Sequence, residues 1–355
     1  MRMGISLNVL VTNMYKMPAE WEKHAATWFA WPHNKEDWPG KFEPIPFVYG
    51  EIIRMLTQHE RVRLLVQNEK AKAFATDILE RSGADLDQVD FFVIPTDRIW
   101  LRDSGPIFVR DAKGKQIMLD WRFNAWAKYP NHKRDDKVPS AIESHNKFPR
   151  IQPMHKGKRV VLEGGSIDVN GKGTLLTTEE CLLSKIQERN PGFGREDYET
   201  VFSQYLGISQ IIWLGDGIVG DDTHGHVDDL ARFIDASTVV VVSEKNKRDD
   251  NYDRLKDNVK RLKRAKDQSG KQLNVVELPM PKPIFFEGQR LPASYANFLI
   301  ANNCVLVPTF NDQADRQALS ILAELFPKRE VVGVHSVDLV WGLGTIHCMS
   351  QQEPA

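Results

Sequence analysis

The sequence predicts an α/β fold in which strand, strand, helix, strand units repeat and close into a ring, and three observations carry that prediction. Four polar, often glycine-containing signatures each run into a strand, a turn and a second strand: DSGPIFVRDAKGKQIMLD from Asp103, EGGSIDVNGKGTLLTT from Glu163, DDLARFIDASTVVVV from Asp228 and SYANFLIANNCVLVPTF from Ser294. Their starts lie roughly 60 residues apart, a period that signals a repeated supersecondary unit. Between some of them lie segments whose apolar residues recur at three and four, followed by short apolar runs. The copies are too few for an extended solenoid. A ring turns the beginnings of the hairpins toward one axis, so that residues distant in sequence share a central site. A doubly wound sheet with unrelated loops is the simpler alternative.

In chain order, the opening MRMGISLNVLVTNMYKMP has a short apolar patch but neither a long hydrophobic stretch nor a small-residue cleavage site, so no secretory leader is expected. EIIRMLTQHERV has helical period, and VRLLV follows as a strand. WRFNAWAKYPNHKRDDKVPSAIESHNKFPR, from Trp121 to Arg150, is polar and poor in strand pattern; it reads as a long loop, either a lid or a disordered surface insertion. QIIWLG, LNVVELP and EVVGV read as further strands, and DDNYDRLKDNVKRLKRAK and DRQALSILAELF as helices. Acids interleave the bases of DRLKDNVKRLKRAKDQSGK, which makes it a solvated helix face rather than a nucleic-acid patch. The closing WGLGTIHCMSQQ begins a fifth copy, truncated by the terminus. The whole chain, 1–355, is read as one domain.

Composition narrows the function. The 355 residues are 41% apolar and 27% charged with a formal net charge of -1, so no global field draws in nucleic acid or an anionic membrane. No run of about 18 apolar residues marks a membrane span. A cytoplasmic location is the default expectation. Cys181, Cys304 and Cys348 form no C-x-x-C pair, which argues against a zinc knuckle or a disulfide framework.

The chemistry-bearing residues follow the repeats. In GDDTHGHVDD an extended strand would place His224, His226 and Asp228 on one face, an incomplete metal set that a distant ligand would have to finish. Cys181 and Cys304 sit in apolar patterns and read as structural. Cys348 lies in a glycine-led, polar segment, where a nucleophilic thiol explains more than inert packing. Asp103, Glu163 and Asp228 occupy comparable positions in their units. Three carboxylates facing a thiol form an anionic pocket, and a guanidinium, whose planar N–H fork binds carboxylates in pairs, fits it best.

With these residues assembled, the chain resembles the agmatine deiminase and bacterial-type peptidylarginine deiminase family of the guanidino-group-modifying superfamily. The resemblance rests on MPAEWEKHAATWFAWPHN, IWLRDSGPIFV, LDWRFNAW, LEGGSIDVNGKGTLLTT, THGHVDD and GTIHCMSQQEP. It implies a pentameric α/β-propeller of five ββαβ repeats around a central site, in a hydrolase that uses neither cofactor nor metal. Cys348 then matches the nucleophile, His226 the general acid/base, Asp103 and Asp228 the carboxylates that clamp the guanidinium, and Glu163 the acid that orients the histidine. Trp100 matches an aromatic wall, and His224 has no metal role. The implied partner is a small cationic guanidino compound, agmatine in polyamine synthesis or free or peptidyl arginine. A homo-oligomer is allowed by this reading, and no motif specifies it.

Two departures bear on specificity. Where agmatine-specific members carry N-D-x-W, this chain reads TDRIWLRD, with Asp97 displaced and Arg98 inserted. Arg98 is the candidate partner for the α-carboxylate of an arginine substrate. Where their nucleophile follows G-G-G-N-I-H, Cys348 follows Gly342-Leu343-Gly344-Thr345-Ile346-His347. Two other classes stay open on the residues alone: a metal-dependent hydrolase on His224, His226 and Asp228, and a noncatalytic cation-binding propeller.

Overall fold

A computed structural model describes residues 14–146 and 148–355. The opening segment read as lacking a leader lies, in its residues 1–13, outside the described residues. The chain forms a mixed α/β fold in which one sheet pattern recurs: two antiparallel strands, a helical connection, and a third strand parallel to the second. Ile107–Asp111, Gln116–Leu119 and Arg150–Ile151 make the first such set in chain order. Asp168–Val169, Thr174–Thr178 and Gln210–Leu214 make the next. Ala231–Phe233, Thr238–Ser243 and Asn274–Pro279 follow, then Leu299–Ile300, Cys304–Thr309 and Glu330–His335.

The C-terminus departs from the sequence expectation. WGLGTIHCMSQQ does not begin a truncated copy: Ser350–Pro354 runs antiparallel to His24–Ala30, which is parallel to Arg61–Val66 and through it to Val89–Val93. The fifth unit is therefore whole, its first strand drawn from one end of the chain and its remainder from the other. Periodicity along the sequence cannot reveal a unit split across the termini.

The middle strands explain why these segments pair as they do. TVVVVS over Thr238–Ser243 and CVLVPT over Cys304–Thr309 are almost wholly buried, the continuous apolar pattern of strands covered on both faces. The helix Tyr252–Arg264 packs Leu255, Val259 and Leu262 inward and leaves its bases in solvent, where Arg261 and Lys263 pair with Asp257 and Glu277. Its Asn258 accepts from Gly215 N and donates to Asp216 O, both at 2.7 Å, which fixes the turn after Gln210–Leu214. Gln313–Leu325 lies as expected. Ile45–Leu56 begins earlier than EIIRML suggests, because Pro44 and Pro46 fall at the cap and first turn, where no N–H is needed.

Trp121 to Arg150 is neither an open loop nor a disordered insertion. It contains the helix Val138–Asn146, which is the helix of its own unit, and it buries Trp126, Asp135, Val138 and Ile142. Among the described residues no helix is long and apolar enough to cross a membrane.

Candidate active site

The beginnings of the five units converge. Asp103 sits in the short helix Leu101–Ser104 ahead of Ile107–Asp111, and Glu163 caps the turn Gly164–Ser166 ahead of Asp168–Val169. Asp228 lies in the turn Val227–Asp229 ahead of Ala231–Phe233, and Cys348 stands two residues before Ser350–Pro354. The unit that the sequence left without a polar contributor supplies Asn297, two residues before Leu299–Ile300. Its Nδ2 donates to Cys348 Sγ at 3.0 Å, while its Oδ1 accepts from Thr345 Oγ1 at 2.6 Å and from His347 N at 3.1 Å. The equal-position argument would have found Asn297 had it been extended to SYANF.

His226 is the centre of the cluster. Asp221 builds its loop by accepting from Thr223 N, Gly225 N and His226 N, each at 2.8 Å. His224 and Gly225 both take left-handed backbone, φ 66° and 90°, so the chain turns rather than extends. This corrects the shared-face expectation: His224 points to Ser184 Oγ at 3.0 Å and to Glu180, away from His226. The imidazole of His226 lies 3.8 Å from Asp103, 3.7 Å from Glu163 and 4.0 Å from Asp228. Both its ring nitrogens, and Asp228 Oδ1, are buried without a hydrogen-bond partner among the described residues. Buried polar atoms without partners are rare and point to a ligand or water.

The electrostatics follow from burial in a crowd of acids. Burial pushes the His226 imidazole down, but the Asp103 charge, with Cys181 and Glu163, outweighs it and holds it well above the ordinary histidine range. Burial, aided by Asp228 and Glu163 against the opposing pull of His226, raises Asp103 to about 6. Glu163 stays ionised because Arg189, at 3.0 and 3.3 Å, and His226 overcome its burial. Burial first, then Asp228, Asp229 and Asp103, pushes the Cys348 thiol well above its usual value.

Above this cluster opens a cavity of about 350 Å³, with Asp103 and Cys348 in its lining and Trp100, Trp126, Tyr129 and Trp341 among its walls. Trp126 donates from Nε1 to Asp103 Oδ2 at 2.8 Å. To reach it, Ala125, Trp126 and Ala127 all adopt positive φ, 50°, 58° and 54°, a costly run that the surrounding packing must enforce. Trp100 packs on Trp38 with ring centroids 5.7 Å apart. A Cβ on Gly344 would stand 2.8 Å from the Trp100 ring, so that glycine admits the aromatic wall rather than the ligand itself. Leu343, where the resemblance expects glycine, takes φ 67°.

Arg98 also lines the cavity, but it is not a free cation. Its guanidinium is bound to Asp37 and lies 4.4 Å from the centre of the Tyr129 ring. Cys304 is buried in its strand, with burial pushing its thiol to about 12, as a structural cysteine should be. Cys181 is buried in the helix Glu179–Leu183, but its sulfur lies within 4.8 Å of His226 and Glu163 ligand atoms, a proximity no sequence pattern signalled. Asp228, Asp229 and Cys348 form a second cluster of that kind. The first set is poorly suited to a metal, because the Arg189 guanidinium already holds the Glu163 carboxylate and would repel a second cation.

Gly165 marks how closely the site is packed. A Cβ there would fall 2.5 Å from His226 Nδ1, 2.9 Å from Asp103 Oδ1 and 3.1 Å from Asp228 Oδ2. Gly165→Ala is expected to lower kcat/KM by on the order of 100-fold, since displacement by about 1 Å has that effect on reacting groups. Steady-state kinetics beside a circular dichroism melt checks this, and an alanine variant with wild-type kinetics would show that these three side chains need not stay where they are.

Comparison with known proteins places the chain among close relatives. Residues 16–354 match the family described as Porphyromonas-type peptidyl-arginine deiminase. An agmatine deiminase of Ectopseudomonas mendocina is 35% identical, with 96% of each sequence covered. In structure, the chain is similar to an agmatine deiminase of Enterococcus faecalis, with TM-score 0.86, 33% identity and 96% of each chain covered. It is also similar to a protein of Porphyromonas gingivalis described as an arginine deiminase by assignment only, with TM-score 0.86, 32% identity and coverage of 96% and 98%.

Proposed function

The chain belongs to the Porphyromonas-type peptidyl-arginine deiminase family, and from that premise we propose that it hydrolyses agmatine to N-carbamoylputrescine and ammonia. The observation that carries this reading is the convergence of Cys348, Asp103, Asp228, His226 and Glu163 in one buried cluster, with Cys348 and Asp103 in the lining of a cavity and buried atoms of His226 and Asp228 left without a partner among the described residues. Asp103 and Asp228 hold the guanidinium nitrogens. The arriving cation offsets the acids that keep Cys348 protonated, so substrate binding favours the thiolate.

Cys348 Sγ then adds to the guanidinium carbon, giving a tetrahedral centre whose nitrogens remain held by the two aspartates. His226 protonates one nitrogen, ammonia leaves, and a thiouronium joins carbon to sulfur. Water, deprotonated by His226, adds to that carbon, and the carbon–sulfur bond breaks to release the ureido product and the thiol. Glu163, itself held by Arg189, orients the imidazole. Trp100 walls the substrate.

Arginine fits less well. Arg98, the candidate partner of an α-carboxylate, is already neutralised by Asp37, and Asp222 is paired with Lys128, while Glu36 and Glu287 add negative charge around the cavity. A cationic tail is favoured there over a carboxylate. Ammonia release from agmatine, arginine and an arginyl peptide, measured side by side with the product identified by mass, tests this. Agmatine is expected to lead in kcat/KM, and an arginine compound leading instead would transfer the substrate assignment.

The pH profile is a second check. Protonating Asp103 removes half of the guanidinium clamp, and its value of about 6 places that loss in reach of assay. Values of kcat/KM, which report the free enzyme, are expected to fall more steeply as pH drops through about 6 than they do above it. A profile level to about pH 4.5 would remove Asp103 from the clamp.

The finer architecture belongs to the same proposal. A closed ring of five units in one domain is supported by the polar group that each unit delivers to the cluster around His226 and Cys348 and by the pairing of Ser350–Pro354 with His24–Ala30. A cytoplasmic location rests on composition and on three buried, unpaired cysteines. Every group named in the reaction comes from one chain, so a homo-oligomer is not needed to complete the site.

A further inference from the structure

Behind Asp228 runs a buried line of charge, His347 and Glu20, that the reaction above does not use. His347, 2% exposed, stands between two carboxylates: its Nδ1 is 2.7 Å from Asp228 Oδ2 and its Nε2 is 2.7 Å from Glu20 Oε2. A neutral imidazole carries one N–H, so two short contacts to carboxylates call for a hydrogen on each nitrogen. Glu20 is anchored in turn, accepting from Ile300 N at 2.8 Å and from Arg232 Nη2 at 2.6 Å. Asp228 thereby divides its oxygens. Oδ2 is held by His347 and lies 3.7 Å from Cys348 Sγ, whereas Oδ1 is buried with no partner among the described residues.

We infer that His347, held by Glu20, is a positioning residue: it locks Asp228 so that Oδ1 faces the guanidinium, and it offsets the carboxylate charge beside the Cys348 sulfur. Left alone, a carboxylate turns about its last torsion and must be ordered by the substrate, and an unneutralised one raises the cost of forming a thiolate next to it. The relay uses MPAEW, which supplies Glu20, for a purpose its sequence did not disclose. The charged and titratable groups facing it are Glu20, Asp228, Asp229, Arg102, Arg232, His226 and Cys348, with Asp103 beyond His226. The substrate half of this inference rests on the deiminase reading, and the thiol half does not.

The test is His347→Gln, which keeps bulk and an N–H donor but cannot donate to both carboxylates or carry charge. Two quantities are read: agmatine kinetics, and the pH dependence of Cys348 alkylation by iodoacetamide, with the site of modification confirmed by mass. KM is expected to rise about tenfold or more, the scale of one charged hydrogen bond, with a smaller change in kcat. The alkylation midpoint is expected to move up by about one pH unit. A folded variant in which both stay at wild-type values overturns the inference. Should that variant not fold, Glu20→Gln decides: KM is expected to rise at least about threefold with kcat held within twofold, and unchanged kinetics overturn it. Alkylation needs no substrate, so it judges the relay even if agmatine proves to be the wrong compound.

Discussion

Cys348→Ala is expected to abolish ammonia release from agmatine, lowering kcat by about 10⁴-fold or more, as loss of a covalent nucleophile does elsewhere. The argument is positional as well as chemical. Of the three cysteines, Cys348 lines the cavity, while Cys181 lies behind His226 and Cys304 inside a central strand. Neither lines the cavity in which the proposed mechanism places the guanidinium carbon. Alanine at 348 adds no bulk and leaves Asn297 bonded to Thr345 and His347 backbone, so the variant should keep its fold. Wild-type enzyme quenched during turnover and weighed intact should carry the thiouronium on Cys348, and the alanine variant should not. Turnover at near-wild-type rate in that variant would withdraw the covalent route.

The second large effect is at His226. In the proposed mechanism, replacing it with alanine removes the acid for ammonia departure and the base for water, each worth about 10²–10⁴-fold. A loss in kcat within or beyond that range is expected, with Cys348 still open to alkylation, which separates chemistry from collapse of the site. The imidazole is surrounded by Asp103, Glu163 and Asp228 at 3.7–4.0 Å, too far for hydrogen bonds but close enough to hold its proton. If the alanine variant kept more than about a tenth of the wild-type kcat, proton transfer would have to be assigned to another group, and Asp229, buried beside Cys348, would be the first to examine.

Much of this was legible in the sequence because strand and helix patterns are local. TVVVVS and CVLVPT announce strands buried on both faces, and the spacing of the four hairpins announces the repeat. The split unit was not legible, since pairing of Ser350–Pro354 with His24–Ala30 joins residues more than 300 positions apart. Trp121 to Arg150 misled for a different reason: its polar surface hides an indole that must bend the backbone through three positive φ values to reach Asp103.

The sequence by itself determined which side chains are available and in what order: a thiol near the C-terminus, a histidine between glycine and a pair of acids, and carboxylates at the starts of successive hairpins. Tertiary structure decided what those groups do to one another. It turned His224 away from His226, engaged Arg98 with Asp37, brought Asn297 to the sulfur, and placed His347 between Glu20 and Asp228. The physical reason is that charge, desolvation and hydrogen bonding act over a few ångströms in space, and residues hundreds of positions apart come within that range once the strands have packed.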